Sequence, residues 1–149
     1  MLGHLYCYKA FGVTDESQRK SFSGAVSHCK SQGASLTSIM NEDEQTFLLG
    51  LNREVQWIGL DDGWGYRKFY WSDGQRLDSG GTKWTEGEPN NENYQEHCVL
   101  LEGTEWKDWN CEEKKRFTCE KKPGNSQGMH VLYSNQLISE CRPTFVLNN

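Results

Sequence analysis

One stretch of the chain, between residues 86 and 111, is rich in carboxylate and amide side chains. The residues whose oxygens could act together are Glu88, Asn90, Glu96 and Asp108. Calcium in proteins takes about six to eight oxygen ligands, chiefly carboxylates and amides carried on adaptable loops. For any one of these residues alone, a solvated acidic loop is an equally good interpretation. Taken together, they form a candidate site for a hard cation that other parts of the chain must hold in place.

The elements that position this stretch follow from local sequence patterns. Ser21 is a suitable N-cap for a segment with apolar residues at helical spacing, and Gly33 lies where that helix would end. Asn41 and Glu44 resemble a capping arrangement for a second helix. Short strand-like runs divided by Gly and Asp follow from residue 53 onward. The pattern predicts an α+β fold, in which two helices flank small antiparallel sheets and long loops carry the candidate site.

The composition indicates one compact domain with disulfides. A chain of 149 residues has room for a single core, and its six cysteines form no two CxxC pairs, so disulfides are favoured over zinc. The net charge of −5 argues against a nucleic-acid partner. The sequence contains no apolar run of the about 18 residues that a membrane span requires. The PGNSQG segment predicts a domain over residues 5–122, followed by a linker and C-terminal tail over residues 123–149.

Four short motifs together resemble the C-type lectin family. They are WIGL at 57–60, WSDG at 71–74, EPN at 88–90 and WKDWNC at 106–111. Their order, their spacing and the cysteine positions make the resemblance highly specific over residues 6–122. The resemblance implies two disulfides, Cys29–Cys119 and Cys98–Cys111. For the two remaining cysteines there are two alternatives: either Cys7 bridges to Cys141, or one of them links to another chain.

The same resemblance implies a function for the candidate site. Positions matching Glu88, Asn90, Glu96 and Asp108 hold the calcium ion to which sugar hydroxyls bind in that family, and the EPN order implies a preference for mannose-type sugars. A cis Glu88–Pro89 bond, which the family uses here, can turn Glu88 and Asn90 toward one ion. We therefore expect a secreted, calcium-dependent lectin that recognises glycans, including those of microbes in innate defence. Oligomerisation into homo-oligomers would add avidity to such a weak single site.

Lys107 departs from the family pattern, because family members with a working calcium site usually have Asn at this position. An ammonium group has no acceptor atom and repels a cation. One hypothesis is that Lys107 replaces the metal by pairing with a site carboxylate, and the alternative is an exposed lysine that points away from a working calcium site. The WKDxxC run also resembles the regenerating (Reg) lectin subgroup, which implies calcium-independent binding of microbial glycans such as peptidoglycan.

The family's auxiliary calcium site is incomplete in this sequence. Asp62 and Glu96 match two of its ligands, whereas Tyr66 and Asn91 stand where carboxylates are expected. We therefore predict no full second ion. A further hypothesis is a protein-binding or ice-binding domain, since a fold does not fix its ligand. An enzyme is not expected, because metal-ligand positions explain Glu88 and Glu96 without an acid and base pair.

The tryptophans and tyrosines divide into core candidates and site candidates. Residues predicted to pack in the core are Trp57, Phe69, Trp71 and Trp84. Trp109 and Tyr94 lie among the loop ligands, so either ring could stack on the apolar face of a sugar. For both of them, packing against the protein is an equal alternative.

Overall fold

The computed structural model describes residues 4–63, 65–78, 82–121 and 140–144. The elements in chain order are β1 (His4–Phe11), α1 (Phe22–Ser31), β2 (Ser35–Leu36), α2 (Glu42–Leu51), β3 (Gln56–Asp61), β4 (Tyr70–Trp71), β5 (Cys98–Glu102), β6 (Glu105–Trp109), β7 (Arg116–Lys121) and β8 (Glu140–Thr144). All of the described strands belong to one sheet with the path β6-β5-β3-β7-β1-β8, while β2 pairs with β7 and β4 with β3. The predicted α+β fold with two helices is confirmed.

The sheet is mixed, where small antiparallel sheets were predicted. β3 and β7 pair in parallel, with Gln56 opposite Arg116 and Trp57 opposite Phe117. The other strand pairs are antiparallel. β7 has β1 on one edge and β3 on the other, so it joins the terminal strands to the strands that carry the site. Through the parallel pair, the strands form one continuous sheet in place of the small antiparallel sheets that were predicted.

The helix ends follow the predicted capping pattern. Ser21 Oγ accepts a hydrogen bond from the Gly24 amide at 3.3 Å, and Asn41 Oδ1 accepts one from the Glu44 amide at 2.9 Å. Gly33 adopts a φ of +66° just beyond α1, a conformation that costs glycine little. Among the described residues, no helix combines the length and apolar character needed to cross a membrane.

The core is built around two tryptophans with no exposed surface, Trp57 and Trp106. Each buried indole N–H has an acceptor: Trp57 Nε1 donates to Lys20 O and Trp106 Nε1 donates to Gln45 Oε1, both at 3.0 Å. Trp57 was predicted to lie in the core and Trp106 was not; the remaining predicted core aromatics also pack inside, namely Phe69, Trp71 and the partly buried Trp84. Trp106 therefore anchors β6 in the core two residues before Asp108, a member of the candidate site.

Disulfides connect the first helix and the segment after β6 to the sheet. Cys29–Cys119 joins α1 to β7, and Cys98–Cys111 joins β5 to the segment after β6, as the resemblance implied. Loop closure over separations of 90 and 13 residues contributes about 4.5 and about 3 kcal/mol, respectively, in the chain-entropy description. Cys7 is also disulfide-bonded, and the pairing of β1 with β8 places Cys141 opposite it in register. Part of the predicted tail thus pairs with the sheet.

Candidate functional site

The candidate site lies where the loop before β5 meets β6. The Trp106 amide donates to Lys83 O at 2.7 Å, and the Thr85 amide donates to Trp106 O at 2.9 Å. The Glu88 amide donates back to Thr85 O at 2.9 Å, which closes a tight turn. The Glu88–Pro89 peptide bond that follows is cis, as the family resemblance implied. These contacts fasten the EPN segment beside the end of β6.

The four residues predicted as calcium ligands lie together. Oxygens of Glu88, Glu96 and Asp108 all lie within 4.8 Å of one another. Asn90 Nδ2 donates to Glu88 Oε1 at 2.8 Å, so its amide belongs to the same cluster. Glu96 is 8% exposed and Asp108 is 1% exposed, whereas Glu88 is half-buried and Asn90 is exposed. The cluster therefore has a buried acidic floor and opens to solvent at Glu88 and Asn90.

Asp108 is the residue on which the loop segments converge. Its Oδ1 accepts from the Asn90 amide at 3.0 Å, and its Oδ2 accepts from the Asn91 amide at 2.8 Å. Asn91 Oδ1 in turn accepts from the Glu96 amide at 3.1 Å. One β6 carboxylate thereby orders the backbone at the C-terminal end of the EPN triplet and, through Asn91, the position of Glu96.

The loops of the site contain unusual backbone conformations. In the described part of the chain, the non-glycine residues with positive φ are Arg67, Asn91, Asn93 and Tyr94. All of them lie in the two loops that surround the acidic cluster. A left-handed conformation is costly for residues with a side chain, and it persists where other contacts hold it. The Glu96 carboxylate provides one such contact, because its Oε2 accepts from the amide at position 92 at 3.0 Å.

The acidic side chains perturb one another. Burial, followed by the hydrogen bond to Asp108 and its charge, raises the pKa of Glu88 to about 7. Burial also raises the pKa of Glu96. For Asp108, burial acts to raise the pKa, but hydrogen bonds from Glu88, the Asn91 amide and Arg67 together hold it below the ordinary value. Burial and mutual repulsion thus oppose ionisation of all three carboxylates at once.

Arg67 is a site residue that the sequence prediction missed. Its Nη2 donates to Asp108 Oδ2 at 2.9 Å, and its Nη1 donates to Asp62 Oδ2 at 3.3 Å and to Glu96 O at 3.2 Å. His97 Nδ1 lies 3.1 Å from the other Asp62 oxygen. The only sequence indication was indirect: Arg67 directly follows Tyr66, where the family's auxiliary site would have a carboxylate, and no motif includes Arg67 itself. A cation from the chain itself therefore lies among the acids.

Lys107 lies outside the acidic cluster. Its Nζ pairs with Glu102 Oε2 at 2.5 Å, and this contact raises the pKa of Lys107. Burial alternates along β6, with Trp106 and Asp108 buried and Lys107 partly exposed between them. Successive side chains of a strand point to opposite faces, so Lys107 and Asp108 face different surroundings. The ion pair described for Lys107 is thus with Glu102 and not with a site carboxylate, which fits the alternative of a lysine directed away from the site.

The two candidate sugar-stacking rings have different surroundings. Trp109 packs against the core cluster that contains Trp57, and Lys115 Nζ lies 5.2 Å from the centre of its ring. Tyr94 is 88% exposed, two residues before Glu96. Packing against the protein is therefore the interpretation that fits Trp109, whereas the ring of Tyr94 is open to a ligand.

The donor set fits a calcium ion. Calcium favours carboxylate and amide oxygens, and Glu88, Glu96 and Asp108 supply three carboxylates beside the Asn90 amide. Glu88 Oε2 is buried, and no donor among the described residues faces it. An acceptor left in this way is costly, and a cation would satisfy it. The Lys107 side chain contributes no oxygen, so the side chains of the site would supply fewer ligands than a complete coordination sphere needs.

The family model for the Lectin C-type domain matches residues 18–121. The chain therefore belongs to the C-type lectin domain family. Over 147 residues it is 29% identical to rat versican core protein, covering 96% of this chain and 5% of versican. It is 33% identical over 122 residues to mouse CD209 antigen-like protein C, covering 80% of this chain and 64% of that protein. It thus spans only part of these relatives.

Solved structures show the same fold. The C-type carbohydrate-recognition domain of cow CD23, studied in the presence of a GlcNAc2Man3 oligosaccharide, superposes with a TM-score of 0.68 at 31% identity, covering 80% of this chain and 89% of that one. A calcium-independent type II antifreeze protein superposes with a TM-score of 0.65 at 20% identity, covering 78% and 86%. At that identity the second likeness concerns the fold alone.

Proposed function

We propose that the chain binds a calcium ion at Glu88, Asn90, Glu96 and Asp108 and recognises mannose-type glycans there. The convergence of three carboxylates within 4.8 Å carries this proposal, because ionised groups so close together favour a shared cation. A bound calcium ion would offer open coordination positions to sugar hydroxyl oxygens. The likeness to the cow CD23 domain, studied with a mannose-containing oligosaccharide, supports the ligand class.

The side chains would have different tasks in recognising a sugar. Glu96 and Asp108 are buried and contribute negative charge at the floor of the site. Glu88 and Asn90 form the solvent-facing rim, where a carboxylate accepts and an amide donates to hydroxyl groups. The 2.8 Å contact between Asn90 Nδ2 and Glu88 Oε1 holds both groups on the same side. Two neighbouring hydroxyls of one sugar could therefore bind to this rim together.

Calorimetric titration of calcium tests the metal part of the proposal. We expect a Kd of about 10⁻⁴ to 10⁻³ M, the range common for extracellular calcium modules. Glu88→Gln removes a carboxylate from the cluster and should weaken binding at least about tenfold. Glu86→Gln is the matched control, because Glu86 is exposed in the same loop. Equal affinity in the two variants would contradict the assigned site.

Retention on immobilised sugars tests the glycan part. The unmodified chain should be retained on mannose in the presence of calcium, released by a chelator, and retained less on galactose. Retention of Glu86→Gln with loss of retention of Glu88→Gln would connect sugar binding to the site. Binding of calcium without retention on either sugar would contradict the ligand class while leaving the metal site intact.

A second candidate is calcium-independent binding of a microbial glycan such as peptidoglycan. The observation that favours it is Arg67, which already provides a cation bonded to Asp108 at 2.9 Å. Sedimentation with insoluble peptidoglycan, with and without chelator, separates the candidates. Equal binding in both conditions would favour the second candidate over the first.

We also propose that the protein is secreted and acts in innate recognition of microbial surfaces. The Cys29–Cys119 and Cys98–Cys111 disulfides support the first part, because such bonds form and persist in oxidising compartments. Detection of the protein in culture medium from expressing cells, with its thiols oxidised, would be the expected result. Its retention in the cytosol would oppose secretion.

A further inference from the structure

We infer that Arg67 is a positioning residue, which holds Asp108 and the 88–97 loop in their binding arrangement before an ion is present. The inference deepens the proposed function and rests on it for its relevance to calcium. Its central claim concerns the ion-free protein, so that claim is testable whether or not calcium binds. The sequence motifs of the site do not include Arg67.

The contacts of Arg67 span three separate segments of the site. Its guanidinium bonds to Asp62 just after β3, to the main-chain oxygen of Glu96 before β5, and to Asp108 on β6. The Asp62 and Asp108 side chains have no exposed surface, while that of Arg67 is 29% exposed. Removal of one partner from a buried ion pair leaves an uncompensated charge. The guanidinium is therefore tied into the buried floor of the site.

The conformation of Arg67 itself supports a specific role. Its φ is +55°, in the left-handed region that is unfavourable for a residue with a long side chain. Its guanidinium carbon also lies 5.3 Å from the centre of the Phe69 ring, a cation–π contact on a buried aromatic residue. Such a conformation persists where the surroundings over-determine it. The ion pairs and the ring contact together provide that constraint.

The effect of Arg67 would reach the EPN segment through Asp108. The guanidinium shares Asp108 Oδ2 with the Asn91 amide, while Oδ1 accepts from the Asn90 amide. A fixed Asp108 carboxylate offers these two amides acceptors in the correct direction. Lysine could keep the positive charge, but its ammonium lacks the planar fork that bridges two carboxylates and a carbonyl. Charge alone should therefore only partly reproduce the role.

Arg67 should increase the order of the binding loops but weaken the attraction of the site for a cation. Its positive charge orders the acids in the absence of an ion, yet the same charge repels a calcium ion bound nearby. If Arg67 only held the loops in place and its charge did not repel the ion, it would stabilise the ion-free and the calcium-bound protein equally. We therefore expect loss of Arg67 to loosen the ion-free loops strongly and to loosen the calcium-bound loops much less.

Hydrogen exchange of single amides tests the claim for the ion-free protein. The probes are the Asn90 and Asn91 amides, measured by NMR in chelator for the unmodified chain, Arg67→Gln, Arg67→Lys and Arg53→Gln. Exchange should accelerate at least about tenfold in Arg67→Gln and less in Arg67→Lys, with core amides of β3 unchanged. Arg53→Gln removes an equal charge from an exposed position and should leave both amides unchanged.

Unchanged exchange of both probes in a folded Arg67→Gln would overturn the inference. If Arg67→Gln does not fold, so that the β3 amides also exchange rapidly, Arg67→Lys decides: acceleration confined to Asn90 and Asn91 supports the role, and unchanged probes refute it. Calcium should then slow the probes by a larger factor in the variant than in the unmodified chain. If calcium slowed exchange by the same factor in the variant and in the unmodified chain, Arg67 would only hold the loops in place, and the repulsion between its charge and the ion would be refuted.

The failure of the proposed function has a different signature. If calcium changes neither exchange nor melting temperature in the unmodified chain, the calcium-dependent function fails. The positioning role of Arg67 is then judged by the chelator measurements alone, where acceleration in Arg67→Gln still supports it.

Discussion

Replacement of Asp108 by Asn should destabilise the protein even without calcium. Besides the contact with Glu88, the two carboxylate oxygens accept from the Asn90 amide at 3.0 Å, the Asn91 amide at 2.8 Å and Arg67 Nη2 at 2.9 Å. An asparagine amide has one oxygen and one NH2 group. Whichever way it is turned, the NH2 group faces a backbone amide that also donates. The substitution is therefore close in shape but wrong in hydrogen bonding.

The expected loss follows from these contacts. Removal of one partner from a buried ion pair costs about 3–5 kcal/mol. In the variant, Arg67 retains its ion pair with Asp62, and its side chain is 29% exposed to solvent. The cost should therefore lie at the low end of that range. Relief of the repulsion between Asp108 and Glu88 offsets a further part. We expect the free energy of unfolding to fall by about 2 kcal/mol in Asp108→Asn.

Urea unfolding at pH 7 in chelator, followed by circular dichroism with the disulfides intact, measures this change. Glu105→Gln is the matched control, because it removes an exposed carboxylate from the same strand. The control should change the free energy of unfolding by less than about 0.5 kcal/mol. A loss in Asp108→Asn no larger than in the control would refute the role of Asp108 as the residue on which the loops converge.

Three further predictions concern the metal, the sugar and the third cysteine pair. Lys107→Asn should tighten calcium binding by no more than about tenfold in calorimetric titration, because Lys107 is already paired with Glu102; a larger gain would show that its charge acts directly on the ion. Tyr94→Ala should weaken mannose binding by about 1 kcal/mol if the exposed ring stacks on the sugar, whereas unchanged affinity would remove it from the site. Peptide mapping without reduction should find Cys7 linked to Cys141, and a link from Cys7 to another chain would contradict this.

The helices could be predicted because their signals are local. The cap at Asn41 bonds to an amide three residues away, and the Ser21 cap does the same. Buried tryptophans were also predictable, since large aromatic residues in strand-like runs pack inward. The parallel pairing of β3 with β7 was not predictable in this way. It depends on where distant strands meet, and neither strand's own sequence encodes its neighbour.

Within the candidate site, the calcium-ligand residues could be predicted, but the residue that holds them in position could not. Glu88, Asn90, Glu96 and Asp108 stand at recognisable distances from cysteines, so motif spacing was enough to place them together. Arg67 reaches Asp108 across 41 positions in sequence and comes from a loop that carries no motif. Its role depends on the tertiary arrangement of two loops, which local periodicity does not specify.

The sequence nevertheless predicts a cation in this site, with calcium as the leading candidate and Lys107 as one alternative, and it gives no direct indication of Arg67. Clustered, largely buried carboxylates require compensation, so a cation was expected. Lys107 was the nearest in sequence, but strand alternation directs it away from Asp108, and Arg67 provides the charge instead. A single guanidinium carries one positive charge against three carboxylates, and within the described cluster its side-chain ion pair is with Asp108. That remaining negative charge is the part that a divalent ion would balance.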